Sequence, residues 1–486
     1  MDKKTKNWRS SGALLLVTVA YFFLKFKYHE LWKDEWQPWL LARDKSFPEM
    51  LQFLHLEGHP ALWFSYLKPW ALISNVAGLL PDQQALLFAS AHGLLFLAAL
   101  FILLFRFKMP LLIRIAMAGG FYFFYQYGVV NRGYILLILL SFLLPALLKE
   151  KRKVNGWTAA ILFLLCQTEV YGVFIAGAVM LCLLFDFYEK ENSISFWKNK
   201  MLRWNALAAL AGLATFVLTV YPRSNHNVVG LNTDANLMDN LAHSIQGNFA
   251  NAFWIGVLPD TNVFGYSAIG VLSGLLLLGL FVWFFWRDKS LLIAFLFYML
   301  GAVLFGTFIY QGGVRHWGVN FIFFMVLTEM YYRRNEALPK FKMALIASFL
   351  LCQLYYNALA ISKEVKYPFS NACATAKFIK KEVPESAVIV AINKFETAPV
   401  GAYSGREIYS LPTGEPFTYY QWLDKVYFPP EAELKVFAKY KKRSGVIILT
   451  PKPLAKDRYP NAKLWKSFEN YNMKKENYYL YLLDAK

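Results

Sequence analysis

Ser11–Phe26, SGALLLVTVAYFFLKF, runs into Trp32–Leu62, WKDEWQPWLLARDKSFPEMLQFLHLEGHPAL, and the reading of these two pieces decides the fold. The first is an apolar run of membrane-spanning type. Lys3, Lys4, Lys6 and Arg9 precede it, and such a basic flank belongs on the cytoplasmic side. No small-residue cleavage site precedes the aromatic continuation, so the run is expected to stay as an anchor. Trp32–Leu62 must then emerge on the opposite face. Asp34 and Glu35 open this loop, and Glu57, His59 and Pro60 close it.

The rest of the chain repeats the first theme. Of 486 residues, 57% are hydrophobic, 18% aromatic and only 17% charged, which is a membrane composition. Apolar runs follow at Ala85–Phe105, Ile115–Val130, Tyr134–Leu148, Ala206–Tyr221, Gly265–Trp286, Leu291–Tyr310, Trp317–Tyr332 and Met343–Ile361. Trp157–Phe187 is too long for one span, and its QTEVYG centre predicts two short helices. The sum is about eleven spans.

The net charge of +19 is topological: Lys and Arg occur as short clusters between the runs, where the positive-inside bias puts them. No nucleic acid is implied. Cys166, Cys182 and Cys352 lie in apolar runs and Cys373 stands alone, which leaves no disulfide framework.

This topology places residues 29–84, residues 222–264 and the tail outside. Leu237, Leu241, Ile245 and Phe249 recur at i+4 and predict a helix lying at the interface. His226 and His243, in the same segment, read as surface histidines. Residues 1–361 form the multi-pass unit. From 362 to 486 the composition is that of a soluble α/β domain, with a helix over Ala372–Lys381 and strands over Ala387–Ile392, Val446–Thr450 and Tyr478–Leu483.

Within the first loop, Asp34–Asp44 and Ser46–Glu57 read as short surface helices that begin D-x-x-Q and S-x-x-E, with Gly58 as the stop. Asp34 has a structural reading as N-cap. Two adjacent acids at the end of a span are costly unless solvated, paired or functional. Glu57 faces the negative end of its helix dipole, which disfavours it by roughly 0.3–1 kcal/mol. A cation, a metal or His59 would compensate. Glu57 with His59 is a two-ligand start for a divalent metal ion, a weak signal by itself.

The acidic pair Asp34–Glu35, the acid with His-Pro at Glu57, His59 and Pro60, and Arg132 in an NRGY turn resemble the GT-C superfamily of polyprenyl-phosphate-sugar glycosyltransferases. The branch is that of protein mannosyltransferases and bacterial lipid A aminoarabinose transferases, families 39 and 83. Where protein mannosyltransferases show His-Pro-Pro, this chain has His59-Pro60-Ala61, and its tail does not resemble their β-trefoil insert.

The resemblance implies a polytopic α-helical membrane protein with an extracytoplasmic C-terminal domain, in a bacterial cytoplasmic membrane. It implies transfer of a hexosyl or pentosyl group, with inversion, from a polyprenyl-phosphate donor to a glycan, lipid or protein acceptor. Asp34, with Glu35 as runner-up, would take the proton of the acceptor hydroxyl. Arg132 and the Arg315-His316 pair would meet the lipid phosphate, because the guanidinium fork binds two oxygens; an interfacial anchor is the other reading of Arg132. Gly312, Gly313 and Gly318 around Arg315 point to a close approach. Tyr134, Glu169 and Tyr171 fall near the same surface, and an acid at membrane depth is a functional candidate. The alternative is a transporter or flippase of a lipid-linked sugar, which would show two matching halves; the chain has no such symmetry.

Overall fold

A computed structural model of the chain describes residues 3–148, 156–192, 195–221, 236–254, 267–420, 445–457 and 459–483. Its helices are α1 (Lys3–Lys27), α2 (Lys33–Asp44), α3 (Phe47–Glu57), α4 (Ala61–Val76), α5 (Pro81–Arg106), α6 (Leu111–Ala118), α7 (Tyr134–Leu147), α8 (Gly156–Cys166), α9 (Val170–Glu191), α10 (Lys200–Val220), α11 (Leu237–Ile245), α12 (Ala252–Trp254), α13 (Ala268–Phe285), α14 (Lys289–Phe308), α15 (Val314–Asn335), α16 (Lys340–Lys366), α17 (Ala372–Glu382) and α18 (Lys394–Ser404). Two π-helical segments, Phe121–Val129 and Gln246–Asn251, continue α6 and α11.

Among the described residues, seven helices are long and apolar enough to cross a membrane: Trp8–Lys27 within α1, then α5, α9, α10, α13, α14 and α16. Helices α7 and α8 are shorter and apolar. With α15 and the α6–π segment they occupy every span expected from the sequence. One expectation needs correction. The Trp157–Phe187 interval divides at Gln167–Glu169, but only α8 is short, and α9 is a full-length helix of 22 residues.

The bundle closes where small residues let aromatic rings approach the backbone, the packing available to helices that gain nothing from expelling lipid. A Cβ at Gly177 of α9 would lie 2.6 Å from the Phe297 ring of α14, and one at Gly301 of α14 would lie 2.9 Å from Phe174 of α9. At the basic end of the bundle, Arg334 of α15 bridges Asp186 of α9 (2.6 Å) and Asp288, the N-cap of α14 (2.9 Å).

At the opposite end α2, α3 and α4 lie between α1 and α5. The second starts as its sequence predicts: the Glu49 carboxylate accepts from the Ser46 N–H (2.9 Å) and hydroxyl (2.7 Å). It stops at Gly58, whose φ of 68° is left-handed. The first does not: Trp32 holds the cap position, and Glu35, not Gln37, reaches back to its N–H (3.2 Å). Asp34 is therefore inside the first turn and is not an N-cap. Helix α11 forms over the expected stretch, but His243 is buried against the Trp317 ring (6.1 Å), not on the surface; His226 lies outside the described residues.

After α16 the chain builds a six-stranded sheet in the order β3-β2-β1-β4-β6-β5 from β1 (Val388–Ala391), β2 (Ile408–Ser410), β3 (Pro416–Phe417), β4 (Val446–Thr450), β5 (Ala462–Phe468) and β6 (Tyr478–Leu483). Strands β2, β1 and β4 run parallel, with Ile389 opposite Ile408 and Ile447, and the rest pair antiparallel. This unit is docked on the start of α2. Tyr403 of α18 accepts from the Leu31 N–H (2.6 Å) and donates to the Leu31 carbonyl (3.1 Å). Lys33 pairs with Glu396 (2.6 Å). The Gln37 amide bonds both backbone groups of Tyr420.

Candidate active site

The loop that opens α2 brings three distant charges together. Asp34 Oδ2 lies 2.8 Å from an Arg132 nitrogen and 3.3 Å from one of Arg315. Arg132 comes from the turn between the π-helical segment and α7, and Arg315 from the first turn of α15. The Tyr127 hydroxyl fixes the start of α15 by donating to the Arg315 carbonyl (2.7 Å). Burial alone would raise the Asp34 carboxyl, but Arg132, Arg315, Lys33 and Lys474 outweigh it and hold it at about 2. Asp34 is thus fully ionised at neutral pH, and both guanidiniums are pre-positioned around it.

Glu35 points the other way, into the protein, and is fully buried. It accepts from His29 Nε2 (3.0 Å), from the Trp32 N–H and from the Asn131 N–H. His29 Nδ1 in turn faces Glu364 of α16 (2.9 Å), which also accepts from the Tyr125 hydroxyl. Burial would lower the His29 imidazole, but Glu35 and Glu364 raise it to about 9. The same imidazolium, with the Asn131 N–H and Lys25, overcomes burial to hold Glu35 below the usual carboxylate range. Lys25 of α1 completes this shell, donating to the carbonyls of Gly128 (3.1 Å) and Val129 (2.8 Å) and to Asn131 Oδ1 (2.5 Å). The last carbonyls of a helical segment have no intrahelical partner, and this lysine takes two of them at the end of the π-helical segment. The shell fixes Asn131, and with it the neighbouring Arg132.

Glu57 and His59 do not form a pair. Glu57 accepts from the Gln37 amide (2.8 Å), and His59 Nδ1 lies 3.0 Å from Glu169. Glu169 sits at the break before α9, and the break docks on this loop through the Leu62 N–H and the Gln167 carbonyl (3.1 Å). Among the described residues no group of three or more His, Cys, Asp or Glu is placed to hold a metal ion.

Tyr134, His316 and Tyr171 form an aromatic wall beside the arginines. The His316 ring stands 5.8 Å from Tyr134, 6.0 Å from Tyr171 and 5.1 Å from Tyr310. Arg315 Nε and His316 Nδ1 are buried without a hydrogen-bond partner among the described residues. Of the glycines near Arg315, Gly312 has a left-handed φ of 79°, whereas Gly318 is required by Tyr122, whose ring would lie 2.3 Å from its Cβ. The close approach there is to the protein's own aromatic core.

His29, Lys25, Asn131, Glu364 and Lys474 are site neighbours that the sequence reading missed. The HELWKDE run places His29 six residues before Glu35, the one local signal; Lys474 is separated from Asp34 by most of the chain.

No protein-family model matches the chain, and no curated protein matches it in sequence. Two solved structures match in fold. ArnT from Cupriavidus metallidurans bound to undecaprenyl phosphate superposes with a TM-score of 0.53 at 11% identity, covering 100% of this chain and 99% of that one. The same protein in the apo state gives 0.49 at 10% identity, over 99% of each chain. In fold, as a polytopic helical bundle with a C-terminal sheet, this chain is similar to ArnT along essentially its whole length.

Proposed function

We propose that this protein is an integral-membrane glycosyltransferase that moves a sugar from a polyprenyl-phosphate donor to an acceptor hydroxyl. One observation carries the reading: an ionised carboxylate, Asp34, touches two guanidiniums, Arg132 and Arg315, at the end of a bundle whose fold is that of a protein solved with undecaprenyl phosphate. A base beside phosphate-binding cations is the minimum that glycosyl transfer from a lipid phosphate requires.

The donor phosphate competes with Asp34 for the two guanidinium forks. As they turn to phosphate oxygens, Asp34 loses its counter-charges, its carboxyl rises from about 2, and it becomes a more effective base. The acceptor oxygen then bonds to the anomeric carbon, the bond from that carbon to the phosphate oxygen breaks, the pair leaves with polyprenyl phosphate, and the acceptor proton passes to Asp34. Direct displacement at the anomeric carbon with a single base gives inversion. Glu35, with both oxygens engaged by His29, Trp32 and Asn131, is a positioning residue in this scheme. The sugar is a hexosyl or pentosyl group.

Clusters of Lys and Arg at the far end of the bundle favour an extracytoplasmic site in a bacterial cytoplasmic membrane, with a cytoplasmic N-terminus. The C-terminal sheet shares the site's side and so faces arriving glycan, lipid or protein acceptors. The test is release of polyprenyl phosphate from a panel of polyprenyl-phosphate sugars by purified protein with membrane-lipid acceptors. Wild type should release it and Asp34→Asn should not. No release from any donor, or undiminished release by the variant, overturns the proposal.

A further inference from the structure

The loop between β5 and β6 does not hang free. Asn472 closes it, its Nδ2 donating to the Glu476 carbonyl (3.2 Å) and its Oδ1 accepting from the Glu476 N–H (2.8 Å). The Met473 and Lys474 N–H groups donate to the carbonyls of Pro368 (3.1 Å) and Phe369 (3.0 Å), beyond α16. Lys475 takes a left-handed φ of 55°, a conformation that costs a non-glycine residue free energy and persists only where its surroundings impose it. The loop is therefore held in one shape, and that shape aims Lys474 at the start of α2.

The Lys474 ammonium lies 4.1 Å from the Trp32 ring centroid and 5.0 Å from that of Phe369. Trp32 is two residues before Asp34. Cation–π contacts of this kind hold an ammonium without neutralising it. The nearby acids are otherwise engaged: Glu396 and Glu476 face Lys33 (2.6 and 3.7 Å), Asp34 faces the arginines, and Glu35 faces His29. Among the described residues Lys474 has no carboxylate within ion-pair distance, and the residue as a whole is exposed while its ammonium end packs on the two rings. Desolvation of the ammonium end and the nearby Arg315 lower it to about 8, against the pull of Asp34, Glu35 and Glu476. A cation shaped into the site and left without an anion indicates an anion still to come.

The reaction proposed above supplies one. A polyprenyl-phosphate sugar is a phosphodiester with a single negative charge. When the glycosidic bond breaks, the leaving polyprenyl phosphate becomes a monoester, whose second ionisation lies near pH 6, and it gains a charge. Arg132 and Arg315 less Asp34 leave one net positive charge, which matches the donor but not the product. We propose that Lys474 is the third cation of the donor-phosphate site, supplied by the C-terminal sheet, and that it meets the charge that develops on the departing phosphate. This rests on the glycosyltransferase reading and makes the C-terminal unit part of the site. A group that interacts more strongly with the product-like charge than with the donor acts on turnover more than on donor binding.

The experiment measures donor KM, kcat, and binding of polyprenyl phosphate and of inorganic phosphate, for purified wild type, Lys474→Met and Lys474→Arg, with thermal melting to confirm folding. Lys474→Met should weaken polyprenyl-phosphate binding and lower kcat by about 10- to 100-fold, the range of one charge-assisted hydrogen bond, with donor KM changed far less. Lys474→Arg should restore most of both. Wild-type affinity for polyprenyl phosphate should fall as pH rises through about 8, and that fall should vanish in Lys474→Arg, whose cation persists; a merely structural lysine would not produce it. Wild-type kinetics in Lys474→Met overturn the assignment and leave the glycosyltransferase reading standing. Equal affinity for inorganic phosphate identifies a free-phosphate site and overturns the lipid-phosphate role. Failure of wild type to bind any polyprenyl phosphate removes the underlying reading and the inference with it.

Discussion

Asp34 and Arg132 meet at 2.8 Å although 98 residues separate them, and the contact is nearly closed to solvent, with side-chain exposures of 9% and 10%. An ion pair this buried is an uncertain source of stability, because desolvation consumes most of its Coulomb energy. On the proposed reading its value lies in holding a base and a phosphate-binding fork in register. Asp34→Asn keeps the shape and removes the proton acceptor. Transfer should fall by about 10²- to 10⁴-fold, the range for loss of a general base, while polyprenyl phosphate still binds, since an anionic competitor for the arginines has gone. Release of polyprenyl phosphate and its binding, measured together, check both halves.

Arg315 is the more open of the two forks at 26% side-chain exposure, and its Nε lacks a partner among the described residues. Arg315→Met should therefore weaken donor affinity by about 1.5–3 kcal/mol, one charged hydrogen bond, with little change in melting temperature. Arg132→Met should weaken binding as much and also destabilise the fold, because Asp34 would lose its closer counter-charge. Arg132→Lys should rescue folding better than donor affinity, since an ammonium lacks the planar fork. Donor KM and melting temperature, read side by side, separate the two arginines.

The shared position of Asp34, Arg132 and Arg315 was legible from the sequence, because an alternation of apolar runs and basic turns assigns each loop to one end of the bundle. What lay behind them was not. The partners of Glu35 are His29, Glu364 and the N–H of Asn131, and only His29 is a sequence neighbour. Lys25 lies inside the apolar run Ser11–Phe26, and its partners, the Gly128 and Val129 carbonyls, close a π-helical segment that no periodicity announces. Strands β2 and β3 have three and two residues, too few for alternation to register. Glu57, for which the dipole argument asks for a compensating partner, accepts from the Gln37 amide, a neutral group that charge complementarity would not select.

His29 gives the fold a pH dependence of definite sign. Its folded value of about 9 lies above the ordinary 6.5, so the imidazolium contributes its full stabilisation below about 6.5 and loses it as pH rises through about 9. Glu35 acts oppositely: its lowered value makes its contribution complete above the ordinary carboxylate range and lost in acid. Melting temperature followed by tryptophan fluorescence should be highest between these limits and drop across pH 8–10. In His29→Gln the melting temperature should be lower at pH 7 and the alkaline step absent. An unchanged alkaline step in that variant would place its origin elsewhere.

Gln37 offers a test of what Glu57 is for. Its amide nitrogen donates to Glu57 (2.8 Å) and to the Tyr420 carbonyl (2.7 Å), and its oxygen accepts from the Tyr420 N–H (3.1 Å), so one side chain joins the helix ending in Glu57 to the C-terminal unit. If Glu57 is structural, Gln37→Leu should destabilise by about 1–3 kcal/mol, the cost of stripping buried polar groups of a partner. Glu57→Leu should cost a similar amount, and the double variant less than their sum, with a coupling of about 0.5–3 kcal/mol as expected for residues in contact. Glu57→Gln should then keep near-normal transfer. A Glu57→Gln protein that melts normally but no longer releases polyprenyl phosphate would move Glu57 from the scaffold into the substrate site, beside Asp34 in function.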